Sequence, residues 1–263
     1  MLPSVLISSK LANTTMTYSI VARDLNSAEI GVAVASRFFA VGSLVPHVRH
    51  NIAMATQAFV NPMWGVEGAR RLTAGESAED VMADFVTRDA GQAIRQAHMI
   101  DAAGHSAAHT GKDCIDWAGH RAAHGVSVAG NMLVGQEVVE DTLSCYLDNT
   151  KLDFVERLLL AMEAGEAAGG DKRGRQAAGL RIHCAQDYPI LDLRVDDHSD
   201  PLAELRRLNS VAQERAAYFV KTFPTAENFS GTTERTELDR SIAEREALWA
   251  REGIVSQSFA TPL

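Results

Sequence analysis

The chain alternates between two spacings of apolar residues. Stretches 18–24 and 29–36 are apolar through their middles, and Leu25-Asn26-Ser27-Ala28 between them has turn chemistry, which predicts a hairpin covered on both faces. A third strand is predicted over 51–58, and the Asn61-Pro62 step breaks it. Helical spacing then takes over. One helix is predicted over 65–73, and a second is opened by Ser77, whose Ser-x-x-Asp cap precedes an apolar face of Val81, Met82 and Phe85. Strands follow over 94–102 and 105–110 about an Ala-Gly turn, and over 125–133. Helices are expected over 136–147 and 152–164, the second with Leu152, Val155, Leu159 and Met162 in register and Gly169-Gly170 as its stop. Strands over 176–185 and 190–196 lead to a helix over 201–220, with Leu202, Leu205, Leu208, Ala212 and Phe219 on one side.

Consecutive strands with helices in pairs suit antiparallel sheets covered by helix pairs, not βαβ units. The fold class predicted is therefore α+β, a four-layer α-β-β-α sandwich of two mainly antiparallel sheets. No internal repeat interrupts it. The domain spans 17–225, behind a dispensable leader at 1–16. Residues 226–263 form a more polar extension, with a helix expected over 237–251 on a stripe of Leu238, Ile242, Leu248 and Trp249.

Composition narrows the function. A net charge of −9 and the lack of a basic cluster argue against a nucleic-acid partner. No apolar run nears the roughly 18 residues of a membrane span, and the leader lacks the order of a secretory signal. Cys114, Cys145 and Cys184 are few, odd in number and unpaired in spacing, which points to a reducing compartment and predicts a cytoplasmic protein. The pairs His47/His50, His105/His109 and His120/His124 lack carboxylates at ligand spacing, so neither a metal nor any other cofactor is expected.

The candidate chemistry begins at Met16-Thr17-Tyr18-Ser19. Were translation to start at Met16, its removal would leave Thr17 with a free α-amine of pKa about 7.7–8.0. A hydroxyl and a near-neutral base on one residue make a nucleophile–base pair. The bland alternative is a β-branched residue opening a strand. A turn centred on Asn26-Ser27 would pair Thr17 with Ser36, setting Ser36 and Arg37 beside the amine; a slip of one residue would undo this. Ser36 could relay or orient the proton, and Arg37 could tune the amine or hold an anion. Asn131 is either an oxyanion donor or a turn residue. Lys172, Arg173 and Arg175 lie among glycines, where they could bind a carboxylate or simply complement a helix end.

The segments Thr17-Tyr18-Ser19-Ile20-Val21-Ala22-Arg23-Asp24 and 31–42, with Ala55-Thr56-Gln57-Ala58-Phe59-Val60-Asn61-Pro62, Gly130-Asn131-Met132-Leu133, 169–176 and 193–198, resemble the bacterial and archaeal domain-of-unknown-function family 1028. The resemblance spans roughly 16–220. It implies an N-terminal-nucleophile (Ntn) hydrolase-like fold and no substrate. The leader and Ala177, where Ser is common, depart from the pattern. The expected function is hydrolysis of a C–N bond other than a peptide bond, in a small carboxylate-bearing amide or cyclic amide. Thr17, Ser36, Arg37 and Asn131 are the expected catalytic set, and Ser19, Asn61, Asp171, Lys172 and Arg173 the substrate contacts. The rival is a non-catalytic ligand-binding or scaffolding protein on the same fold. A homo-oligomer is the expected assembly.

Overall fold

The computed structural model describes residues 17–260, so the predicted leader lies outside the described residues. Among the described residues, ten strands form two sheets, and every pairing of those strands is antiparallel. The larger contains β1 (Thr17–Arg23), β2 (Ile30–Ser36), β7 (Trp117–Ala123), β8 (Val126–Leu133), β9 (Ala177–His183) and β10 (Pro189–Val195), in the order β10-β9-β2-β1-β8-β7. The smaller runs β3 (Pro46–Arg49), β4 (Ile52–Ala58), β5 (Arg95–Ile100), β6 (Ser106–Thr110). The helices are α1 (Val41–Leu44), α2 (Pro62–Thr73), α3 (Ala78–Arg88), α4 (Glu137–Asp148), α5 (Phe154–Ala167), α6 (Pro201–Ala212), α7 (Ala216–Val220) and α8 (Thr236–Glu252).

Side-chain alternation along the central strands builds the layers. Tyr18, Ile20, Ala33 and Leu180 face Val138 and Val139 of α4, Leu158 and Met162 of α5, and Leu205 of α6. Val21, Val32 and Val34 point the opposite way, against Ala53, Ala55 and Ile100 of the smaller sheet. Met54 and Met99 on that sheet's far side meet Trp64 and Leu72 of α2, and Val81, Met82 and Phe85 of α3. The order is helix, sheet, sheet, helix. Since Thr17 and Ser19 share the parity of Val21, both are directed between the sheets.

The hairpin has the expected register. Tyr18 stands opposite Ala35 and Arg23 opposite Ile30, and the Asp24 N–H donates to the Glu29 carbonyl at 2.8 Å. Ser77 caps α3 by accepting from the Asp80 N–H at 3.1 Å. Two strands escape the pattern. β3 is a short edge strand that begins on a proline, and β7 is an edge strand whose residues are half-buried or exposed, so neither alternates cleanly. The helix expected over 201–220 is two helices, α6 and α7. The polar run Gln213-Glu214-Arg215 gives the sheet nothing to hold, and Phe219 is exposed at 36%. α5 starts at Phe154, beyond the exposed Leu152. α8 buries Leu238 and Ile242 of the expected stripe.

Candidate functional site

Thr17 opens β1 at the middle of the larger sheet, with β2 on one side and β8 on the other. Its hydroxyl donates to Ser36 Oγ at 3.2 Å, and Asn131 of β8 is its cross-strand partner. Thr17, Ser36 and Asn131 are each at most 2% exposed. Asn131 Nδ2 donates to the Thr17 carbonyl at 3.4 Å and to Gln96 Oε1 at 2.9 Å.

Behind Thr17 the space between the sheets is polar. Ser19 Oγ donates to Gln57 Oε1 at 2.6 Å and lies 2.8 Å from His98 Nε2. With the serine proton given to Gln57, His98 Nε2 carries the hydrogen and His98 Nδ1 accepts from Ser127 Oγ at 3.0 Å. Gln57 Nε2 donates to Gln96 Oε1 at 2.9 Å, and Gln96 Nε2 reaches Thr110 Oγ1 at 2.9 Å, itself 3.0 Å from His120 Nδ1. Complete burial pushes His98 down to about 3, assisted by His120, so its ring is neutral at physiological pH. Burial lowers His120 as well.

A second polar hub clamps the end of β2. Asp171, 6% exposed, accepts from the backbone N–H groups of Arg37 at 2.8 Å and Arg173 at 2.9 Å, and from the Arg173 guanidinium at 3.2 Å. Arg37 donates its own guanidinium to the Arg173 carbonyl at 2.8 Å. Arg175 pairs with Glu166 at 2.8 Å, whose other oxygen accepts from the Tyr18 hydroxyl at 3.3 Å. Burial raises both Tyr18 and Glu166 above their ordinary ranges.

Beside Asn131 lies a cavity of about 90 Å³, lined by Ala58, Phe59, Ile94, Asp113, Cys114, Ile115, Asn131 and Met132. Ala58 at φ 63° and Met132 at φ 54° both sit in the left-handed region, where non-glycine residues are strained. Such strain gathers at ligand sites.

Of the residues expected from sequence, the fold joins Thr17, Ser36 and Asn131 directly and brings Arg37, Asp171 and Arg173 into the adjoining hub. It does not bring Arg37's charge to the nucleophile, because the alternation that turns Ser36 inward turns Arg37 to the surface. Ser19 is sealed between the sheets, fully buried on two internal partners. Asn61 caps α2, accepting from the Met63 N–H at 3.0 Å and donating to Asp89 at 2.8 Å, and lines a separate groove of about 270 Å³ with Trp64 and Arg88. Lys172 is exposed and pairs with Asp116 at 3.4 Å. Gln57, Gln96, His98 and Ser127 were not singled out by sequence. Their signal was present as polar residues at inward positions of apolar strands. Among the described residues, no three His, Cys, Asp or Glu side chains group as metal ligands, and no helix is long and apolar enough to cross a membrane.

The sequence profile described as "Family of unknown function (DUF1028)" matches residues 17–205. The chain is similar to the crystal structure of protein SPO2555 from Silicibacter pomeroyi, which carries the same family designation; identity is 28%, TM-score 0.76, and the match covers 83% of this chain and all of that one. No curated protein matches the chain.

Proposed function

Because the chain belongs to the DUF1028 family, whose name assigns no chemistry, we propose from its site that the protein is an Ntn hydrolase of small amides or cyclic amides, with Thr17 as nucleophile. The observation that carries this reading is the Thr17 hydroxyl, first in the central strand of a helix–sheet–sheet–helix sandwich and 3.2 Å from Ser36 Oγ. Cleavage before Thr17 would free its α-amine as base. The amine takes the hydroxyl proton as Oγ1 attacks the amide carbon. Collapse of the tetrahedral adduct breaks the C–N bond, and the proton passes to the leaving nitrogen. Water, deprotonated by the same amine, then hydrolyses the ester to a carboxylic acid and restores Thr17. Ser36 orients the hydroxyl. The engaged state of Lys172 and Arg173 gives a carboxylate-bearing substrate no support. The cysteine usage, which suits a reducing compartment, supports a cytoplasmic setting for the reaction.

A non-catalytic binding protein is the second reading, favoured by the burial of Thr17 at 1% exposure in the chain that carries residues 1–16. Intact mass of the purified protein, followed by an amide panel with Thr17→Ser and Thr17→Ala, separates the two. The hydrolase reading expects a mature chain beginning at Thr17, turnover in the serine variant and none in the alanine variant. An intact leader, or alanine turnover equal to wild type, sinks it.

A further inference from the structure

The 90 Å³ cavity at the Thr17 end of the sheets is walled by residues whose polar groups are spent on one another. Ala58 ends β4 in the smaller sheet and Met132 lies in β8 of the larger, so the cavity bridges the two. The Met132 N–H donates to the Ile115 carbonyl at 3.1 Å, that of Phe59 to Ile94 at 3.3 Å and that of Asp113 to Ala93 at 2.8 Å. Cys114 Sγ donates to the Arg95 carbonyl at 3.4 Å. Gln96 Nε2 gives its hydrogens to the Gly130 and Gly119 carbonyls at 2.8 and 3.2 Å, so Gln96 Oε1 is the end that accepts from Asn131 Nδ2 at 2.9 Å. The second hydrogen of Asn131 Nδ2 goes to the Thr17 carbonyl, and Asn131 Oδ1 is buried. Asn131 offers the cavity neither donor nor acceptor, and the oxyanion-donor role expected from sequence is closed to it while Gln96 stands.

What remains to face the space is hydrocarbon from Ala58, Phe59, Ile94, Ile115 and Met132, with the exposed Asp113 as the charged wall. An apolar cavity of about 150 Å³ takes benzene, so on that scale this one takes about three or four carbons. The strained Ala58 and Met132 frame it from the two sheets, as strain does at ligand sites. Asn131, its wall toward β1, is the direct cross-strand partner of Thr17, and such partners stand about 4.5–5.5 Å apart at Cα. A short alkyl chain spans that distance. We infer that the cavity seats an uncharged alkyl chain of about three or four carbons on the acyl side of the amide, the side that stays on Thr17 through both steps. Asp113 repels a chain that ends in a carboxylate. As a statement of substrate class this rests on the proposed hydrolysis; as a statement of binding it stands apart from Thr17.

The test is a series of acetamide, butyramide, heptanamide and succinamate, titrated by NMR into the full chain with the methyl groups of Ile94, Ile115 and Met132 as reporters. Affinity should rise about fourfold per carbon from acetamide to butyramide, the worth of a buried methylene, and no further at heptanamide. Succinamate, which ends in a carboxylate, should bind about tenfold more weakly than butyramide. Ile115 is 45% exposed, so its replacement spares the core, and circular dichroism checks each variant. Ile115→Ala should move the optimum toward heptanamide. Ile115→Trp, which fills the space, should bring acetamide and butyramide within about twofold, less than one buried methylene. Affinity indifferent to chain length in the wild type, equal binding of succinamate, or shifts that miss all three reporters overturn the inference. The preference should persist in Thr17→Ala: kept without turnover anywhere, it leaves this inference standing and the hydrolase reading failed. Turnover indifferent to acyl length does the reverse.

Discussion

At the scale of single residues, the hydroxyl pair and the carboxamide cluster make separable predictions. Ser36 accepts the Thr17 hydroxyl and lines no part of the cavity, so its loss should misalign the nucleophile without weakening ligand binding. Ser36→Ala is expected to slow acylation of Thr17 by a hydroxyl-directed probe about tenfold, the worth of one hydrogen bond, followed by mass spectrometry. An unchanged rate would show that Ser36 only packs. Gln96 is different in kind, because several internal groups depend on it at once. Gln96→Leu strips the acceptor from Gln57 and Asn131 and the donor from the Gly130 carbonyl, all in a buried layer. At about 1–3 kcal/mol per unmet buried group, a loss of roughly 2–5 kcal/mol is expected in urea unfolding. A cost below about 1 kcal/mol would mean the layer is already wet.

At the scale of elements, the seating of α1 on the larger sheet depends on a contact between two glycines. Gly42 of α1 lies over Gly179 of β9, and a Cβ built on Gly179 would meet the Gly42 Cα at 2.7 Å. The obstruction is the backbone of α1, and Gly179 itself is held in a six-stranded sheet, so neither side yields easily. Gly179→Ala should cost about 1–3 kcal/mol in chemical denaturation despite the lower chain entropy of alanine in the unfolded state. No loss would place α1 farther from the sheet. That contact could not be read from sequence, since glycine reports freedom but not the neighbour that needs it. The β1–β2 register could, because Asn26-Ser27 fixes the turn and the interiors of the strands carry no charge to mislead the pairing. The Thr17–Ser36 contact was legible for the same reason. The Gln57–Gln96 pairing was not, although both residues interrupt apolar strands, because their meeting depends on the β4–β5 register across a connection of two helices. Arg37 shows the opposite failure: its place in the chain was right, but the parity of the strand sends its side chain to the surface and the Arg173 carbonyl.

At the scale of the whole molecule, neutral histidines inside the sandwich couple folding to protons. Burial lowers His98 to about 3 and His47 to about 4, whereas both titrate near 6.5 in the unfolded chain. Below that value the unfolded chain binds protons that the folded one refuses. The contribution of these histidines to stability is therefore flat above about pH 6.5 and falls as the pH drops toward the folded values. Each histidine contributes up to about 1.4 kcal/mol per pH unit in that window, so roughly 2 kcal/mol apiece is lost between pH 7 and pH 5. Glu29 and Glu166 oppose this trend, since burial raises both and the folded state gains when they protonate. The wild type sums opposing effects, so the informative quantity is a difference between variants. His98→Gln keeps a side chain able to donate and accept between Ser19 and Ser127 but has no proton to take up. Urea midpoints at pH 7 and pH 5 should show the variant losing about 2 kcal/mol less than wild type on acidification. Equal losses would mean that His98 already accepts a proton in the folded state. The polar layer behind Thr17 would then hold a charge that every hydrogen-bond assignment there excludes.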